Sequence, residues 1–145
     1  MNVTDEQQQN AERLLYLLER LRPQLLGPAF RRLRDLELSP SHIRVLRALH
    51  SGETRAMKDL ADELCIKPPS VTALAKRLVE TGIVARRPHA EDSRVVLIEL
   101  TEAGRALHRA LHEEQLASVS RLLARLTPEE QRLFLDLLDR ATSPE

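Results

Sequence analysis

Leucines recur at helical spacing among polar residues from Gln7 to about Leu36, at Leu14, Leu17, Leu18, Leu21 and Leu25. This predicts an amphipathic helix. Leu15 and Leu26 widen its apolar stripe beyond what one neighbour would cover. Pro23 and the Gly27-Pro28 pair are expected to kink or divide it. Ser39-Pro40 then offers a capping oxygen and a proline suited to the first helical position. Ile43, Val45, Leu46 and Leu49 form the apolar side of this second helix, which Ser51-Gly52-Glu53 closes. A short helix is expected from about Ala56 to Leu64, with Met57, Leu60, Ala61 and Leu64 apolar. The turn Cys65-Ile66-Lys67 leads into Pro68-Pro69, where a further helix starts. It buries Val71, Leu74 and Leu78 and ends at Thr81-Gly82, with glycine as a left-handed cap.

After Gly82 the period of the pattern drops to two. Ile83 to Arg87 reads as a strand, Pro88 to Ser93 as a polar loop, and Arg94 to Leu100 as a second strand with Val96, Ile98 and Leu100 on one face. Thr101 caps a long helix running to about Leu126, whose stripe includes Ala103, Ala106, Leu107, Ala110, Leu111, Leu116, Val119, Leu122 and Leu123. Thr127-Pro128-Glu129-Glu130 carries a full helix-start signature for a last helix reaching about Ala141. The expected class is mainly α with a small β-hairpin wing. Residues 39–100 form a winged helix-turn-helix, and the helical stretches 5–36 and 102–142 flank it within one chain of residues 1–145. Those outer stretches are too apolar for a monomer of this size, so they are read as a dimerisation region.

Composition narrows the chemistry. Of 145 residues, 22 are basic and 22 acidic, so the whole chain gives no electrostatic case for nucleic acid. The local picture differs. Lys67, Lys76, Arg77, Arg86, Arg87 and Arg94 face only Glu80, Glu91 and Asp92 across the fourth helix and hairpin. Residues 128–145 are acidic instead. Tyr16, Phe30 and Phe134 are the only aromatics, too few for a base-stacking single-strand binder. A lone cysteine points to a reducing compartment, and no secretory leader or long apolar run is evident; the expected location is the cytoplasm, in association with the nucleoid.

A helix that enters the major groove needs small or polar residues outward and cations beside them. The helix from Pro69 to Thr81 offers Ser70, Thr72, Ala73, Lys76 and Arg77 off its apolar stripe, with Lys67 ahead of it. Ser70 and Thr72 suit hydrogen bonds to bases or phosphates, Ala73 a thymine methyl, and the helix start a phosphate. Arg86, Arg87 and Arg94 add cations from the hairpin. A plain solvated face, or a surface that binds a protein partner, would carry the same residue types. His108 and His112 lie one helical turn apart, but two ligands make no metal site. Cys65 reads as a small buried residue. No nucleophile–base pair, metal set or phosphate loop stands at usable spacing, so neither an enzyme nor a cofactor is expected.

The residues Leu60-Ala61, Pro69-Ser70-Val71-Thr72, Leu78 with Gly82-Ile83-Val84, Arg87, Asp92-Ser93-Arg94 and Leu100-Thr101-Glu102-Ala103-Gly104 follow one another as in a known family. The chain resembles the MarR family of bacterial transcriptional regulators over nearly its whole length. The Asp-x-Arg pair followed by Leu-Thr-x-x-Gly is the most specific part. Lys67 departs from the small capping residue frequent there, and Ala73 from a larger one. The resemblance implies a homodimer that reads a pseudopalindromic double-stranded operator, most relatives being repressors. It places the recognition helix in the major groove and Arg94 in the minor groove, with Asp92 fixing the wing tip. It also implies release by a small aromatic or phenolic effector; His42, which opens the second helix beside Arg44, is the candidate lining residue, with ordinary packing as the other reading.

Overall fold

A computed structural model describes residues 3–49 and 53–144. Ser51 and Gly52, expected to close the second helix, lie outside the described residues. The elements in chain order are α1 (Val3–Asp35), α2 (Pro40–Ala48), β1 (Arg55–Ala56), α3 (Met57–Leu64), α4 (Pro68–Glu80), β2 (Val84–Pro88), β3 (Val96–Leu100), α5 (Glu102–Leu123) and α6 (Pro128–Thr142). The chain forms two compact units, Gly27–Glu113 and the pairing of Met1–Leu26 with Glu114–Glu145.

In the central unit α2, α3 and α4 enclose a core in which Leu33, Val45, Leu46, Leu49, Leu60, Val71, Leu78 and Ile98 are fully buried. Burial of each such side chain contributes on the order of 2 kcal/mol. Leu107 and Leu111 of α5 join the same cluster. The three strands form an antiparallel sheet in the order β1-β3-β2. β2 pairs with β3 from Val84↔Leu100 to Pro88↔Val96, and β1 pairs through Arg55↔Ile98 and Ala56↔Leu97.

Several expectations are corrected. α1 is not divided at Pro23 or Gly27-Pro28 but runs as one helix of 33 residues. Each proline removes only one backbone bond, and Gly27 lacks the Cβ that would press on the Pro28 ring. The boundary between the two units nevertheless falls at Leu26 and Gly27. β1 is a third strand absent from the sequence reading, and two residues are too few to carry a period. On α4 the buried residues are Val71, Ala75 and Leu78, whereas Leu74 is half-buried. On α5 Leu107 and Leu111 face inward as expected, whereas Ala103, Ala106 and Leu116 are exposed and Gly104 is buried. Val96, near the wing tip, is exposed while Ile98 and Leu100 are buried.

Cys65 is exposed, not buried. It holds the turn after α3 in the left-handed region at φ 53°. Ile66 N–H closes on Ala61 O at 3.0 Å and Cys65 N–H on Asp62 O at 3.2 Å. The chain reverses there, and the side chain turns outward. The same wrapping ends α4 at Gly82, with φ 75°, Ile83 N–H on Leu78 O at 2.9 Å and Gly82 N–H on Val79 O at 3.0 Å.

The start of α5 is bound to that turn. The Thr101 hydroxyl lies 2.6 Å from Gly82 O and 3.1 Å from Ile83 O, and accepts Gly104 N–H at 3.1 Å. Thr101 N–H donates to Ile83 O at 3.0 Å. In the other unit the expected capping box at α6 forms, with Glu130 N–H on Thr127 Oγ1 at 3.2 Å and Thr127 N–H on Glu130 Oε2 at 2.8 Å. Gln131 Nε2 closes the end of α5 through Leu123 O and Leu126 O at 3.0 and 3.1 Å.

Two stability tests follow. A Cβ at Gly104 would stand 2.0 Å from Ile83 O, so Gly104→Ala is expected to destabilise the chain by about 1–3 kcal/mol or more in urea unfolding; an unchanged midpoint would contradict this packing. At α2, His42 Nδ1 receives Ser39 N–H at 2.9 Å and lies 2.8 Å from Ser39 Oγ, so this nitrogen carries no proton. Burial, reinforced by the charge of Arg77, holds the imidazole below its ordinary value of 6.5. The unfolded chain therefore binds the proton more readily. His42 contributes stability above pH 6.5 that is lost as pH falls toward its lowered value. Urea midpoints should fall between pH 7.5 and pH 5.5, and His42→Gln should reduce that slope.

Candidate nucleic-acid interface

Helix α4 starts without a side-chain cap at Lys67 and relies on prolines at its first positions. Lys67, Pro69, Ser70, Thr72, Ala73 and Lys76 are all exposed. They occupy the side opposite Val71, Ala75 and Leu78, so the sequence's division of the helix into two faces holds. Thr72 Oγ1 donates back to Pro68 O at 2.9 Å, which leaves its lone pairs outward as acceptors. Arg77 is engaged differently. Its guanidinium lies 2.9 Å from Glu37 Oε2 and 4.0 Å from Glu80 Oε2. Glu37 holds the left-handed turn after α1 at φ 55°, so this ion pair ties the end of α1 to α4.

Strand parity separates the two hairpin arginines. Arg86 stands opposite Ile98, and Arg87 opposite Leu97. Successive side chains alternate between faces. Arg86 therefore shares its face with buried Ile98 and borders a groove of about 380 Å³ with Thr72, Lys58, Met57, Arg94 and Val96. Arg87 projects on the other face, paired with Glu99. The structure thus brings Thr72, Arg86 and Arg94 together, and sets Arg87 apart from them.

At the wing tip Asp92 Oδ1 receives the backbone N–H of Arg94 at 3.0 Å and its Nε at 3.3 Å. This local turn aims the guanidinium outward, with 90% of the Arg94 side chain exposed. His89 adds a support that sequence reasoning missed. Its Nδ1 accepts the N–H groups of Glu91 and Asp92 at 3.1 and 3.2 Å. Lys58 was missed as well, because the short helix α3 was read only for its apolar side.

His42 is 9% exposed and borders a second groove of about 680 Å³ with Arg44, Ser70, Ala73, Leu74 and Arg77. Arg44 donates to Leu64 O and so caps the end of α3. His108 is half-buried and His112 exposed on α5. Among the described residues no three His, Cys, Asp or Glu side chains group as a metal site requires. Among them, too, no helix is long and apolar enough to cross a membrane.

Comparison with known proteins places this geometry. Residues 36–95 match the MarR family model. The chain is 32% identical over 103 residues to the HTH-type transcriptional regulator YdgJ of Bacillus subtilis, across 71% of this chain and 63% of that protein. It is 30% identical over 128 residues to the HTH-type transcriptional repressor Rv2887 of Mycobacterium tuberculosis, across 88% of this chain and 92% of the relative. The crystal structure of Rv2887 in complex with DNA superposes with a TM-score of 0.65 at 28% identity, over 90% of this chain and 98% of that one. The YusO protein of Bacillus subtilis shares the fold with a TM-score of 0.80 at 22% identity, covering 97% of each chain. A winged helix-turn-helix with an aspartate-held arginine at the wing tip, matched along most of its length by such relatives, makes this chain a member of the MarR family of transcriptional regulators.

Proposed function

We propose that two copies of this chain bind one pseudopalindromic operator in double-stranded DNA and repress transcription from it. One observation carries the reading: Thr72 from the exposed face of α4, Arg86 and the outward Arg94 border one groove. A helix face of small and polar residues suits base edges in the major groove. An arginine at a fixed wing tip suits a narrow minor groove. Lys67, Lys76 and Arg86 supply phosphate contacts, with Arg87 at the outer margin. The repressor name of Rv2887 and its DNA complex support the reading. The location would be the cytoplasm, at the nucleoid.

The second copy is inferred from surface left uncovered. α6 has no buried residue, and Leu133, Phe134, Leu135, Leu137 and Leu138 are exposed along it. Leu14, Leu15, Tyr16, Leu17 and Leu18 of α1 are exposed as well. Such contiguous apolar surface marks an association site. Two-fold pairing would set two recognition helices about one helical turn apart on the duplex, roughly 34–36 Å. A small aromatic or phenolic effector, seated in the groove beside His42, would act by favouring a subunit spacing that misfits the operator.

Titration of the purified protein against its own promoter region tests the function. Specific binding that weakens steeply with salt is expected, whereas salt-indifferent or sequence-blind binding would count against it. Arg94→Ala should weaken operator binding about ten- to hundredfold while leaving the unfolding midpoint in place; retention of full affinity would remove Arg94 from the interface. Light scattering should give twice the chain mass of 16.5 kDa; a stable particle of the single mass would end the dimer reading.

A further inference from the structure

The groove between wing and recognition helix has a third wall, the first turn of α3. Lys58 borders it from that side, exposed, facing the space shared by Thr72, Arg86 and Arg94. Three cations therefore border one cleft, and none of its bordering residues is acidic. Among the described residues Lys58 has no ion pair, and Arg94 is held only by Asp92 at the tip. Lys58 is also well anchored. β1 ends two residues earlier and pairs with the wing stem through Ala56↔Leu97. The N-cap Ala56 offers no side-chain oxygen to the free amides of α3. Those amides add partial positive charge at the same wall.

We infer that this cleft is a phosphate site for the DNA strand that divides the major groove from the minor groove, with Lys58 as its third cation. The inference rests on the duplex-binding reading above and extends it. A body that places a helix in one groove and a hairpin in the next must straddle one sugar–phosphate strand. The space between helix and hairpin then faces a phosphate. The Thr72 hydroxyl borders the same space, and its outward rotation would exchange the bond to Pro68 O for a phosphate oxygen. β1 gains a purpose in this account: its pairing with β3 holds the start of α3, and with it Lys58, at a fixed offset from Arg86 and Arg94.

The test uses the full chain, with its promoter duplex and a random-sequence duplex, over a series of salt concentrations. Lys58→Gln removes the charge and keeps most of the stem, and Lys58→Arg restores the charge. For a dimer with one Lys58 per subunit, Lys58→Gln should lower the slope of log affinity against log salt by about two units. It should weaken both duplexes by the same factor, and Lys58→Arg should recover the slope. Thermal midpoints should match wild type, since the residue is exposed. An unchanged slope in Lys58→Gln beside normal wild-type binding would overturn the Lys58 assignment alone. Loss confined to the promoter duplex would also overturn it, since it would make Lys58 a reader of bases. A wild-type protein that binds neither duplex would overturn this inference together with the function it rests on.

Discussion

The Thr101 hydroxyl sits where three elements meet, and the mutual placement of α4, the hairpin and α5 depends on it. Helix α4 ends at Glu80 and its closing turn at Gly82, the hairpin begins at Val84 and ends at Leu100, and α5 begins at Glu102. One hydroxyl reaches the carbonyls of Gly82 and Ile83 while it accepts a free amide of the first turn of α5, at Gly104. Gly104 lets the helix backbone approach Ile83 O at a range that no side chain would permit. The direction of α4, the root of the wing and the departure of α5 are thereby fixed to one another through three backbone groups. In the proposed complex, a helix and a hairpin set into successive grooves would tolerate little error in their mutual angle, so a rigid junction suits that place.

Around that junction the cations are sorted by what holds them. Arg77 is drawn toward Glu37 and Arg87 toward Glu99, so both begin with a carboxylate partner. Arg94 is held by Asp92 through its backbone N–H and Nε, which orients the guanidinium with most of the side chain in solvent. Arg86 and Lys58 have no such partner among the described residues. Exposed ion pairs are worth little for stability. Their effect here is directional: they decide which charges are free to meet an incoming polyanion and which must first give up a carboxylate.

Much of this is legible in the sequence, for identifiable reasons. The helix starts at Pro40, Pro68 and Pro128, the glycine cap at Gly82 and the Leu100–Gly104 motif each combine a residue type with a local geometry that few alternatives satisfy. The faces of α4 follow from helical period, although Ala75 is buried where Leu74 is only half-buried. What escapes is what depends on partners distant in sequence. β1 exists only because β3 pairs with it, and Glu37 meets Arg77 across 40 positions. Cys65 is exposed because the turn after α3 needs a left-handed residue, which hydrophobicity does not report. Lys58 matters only once the wing is folded beside it.

The neutral whole and the segregated parts answer different physical demands. A surplus of positive charge over the entire chain would favour any polyanion, with no preference for one orientation. Concentrating it on α4 and the wing, while the last helix carries Glu129, Glu130, Asp136 and Asp139, makes the charge local to particular elements. In the proposed dimer that asymmetry is doubled by the two-fold axis. Both basic faces would turn toward the duplex, while the acidic residues of α6 flank the leucines that a second copy would cover. Specific recognition would then come from the spacing of two modest, oriented surfaces. The apolar ends, which set that spacing, would matter to DNA affinity as directly as the arginines do.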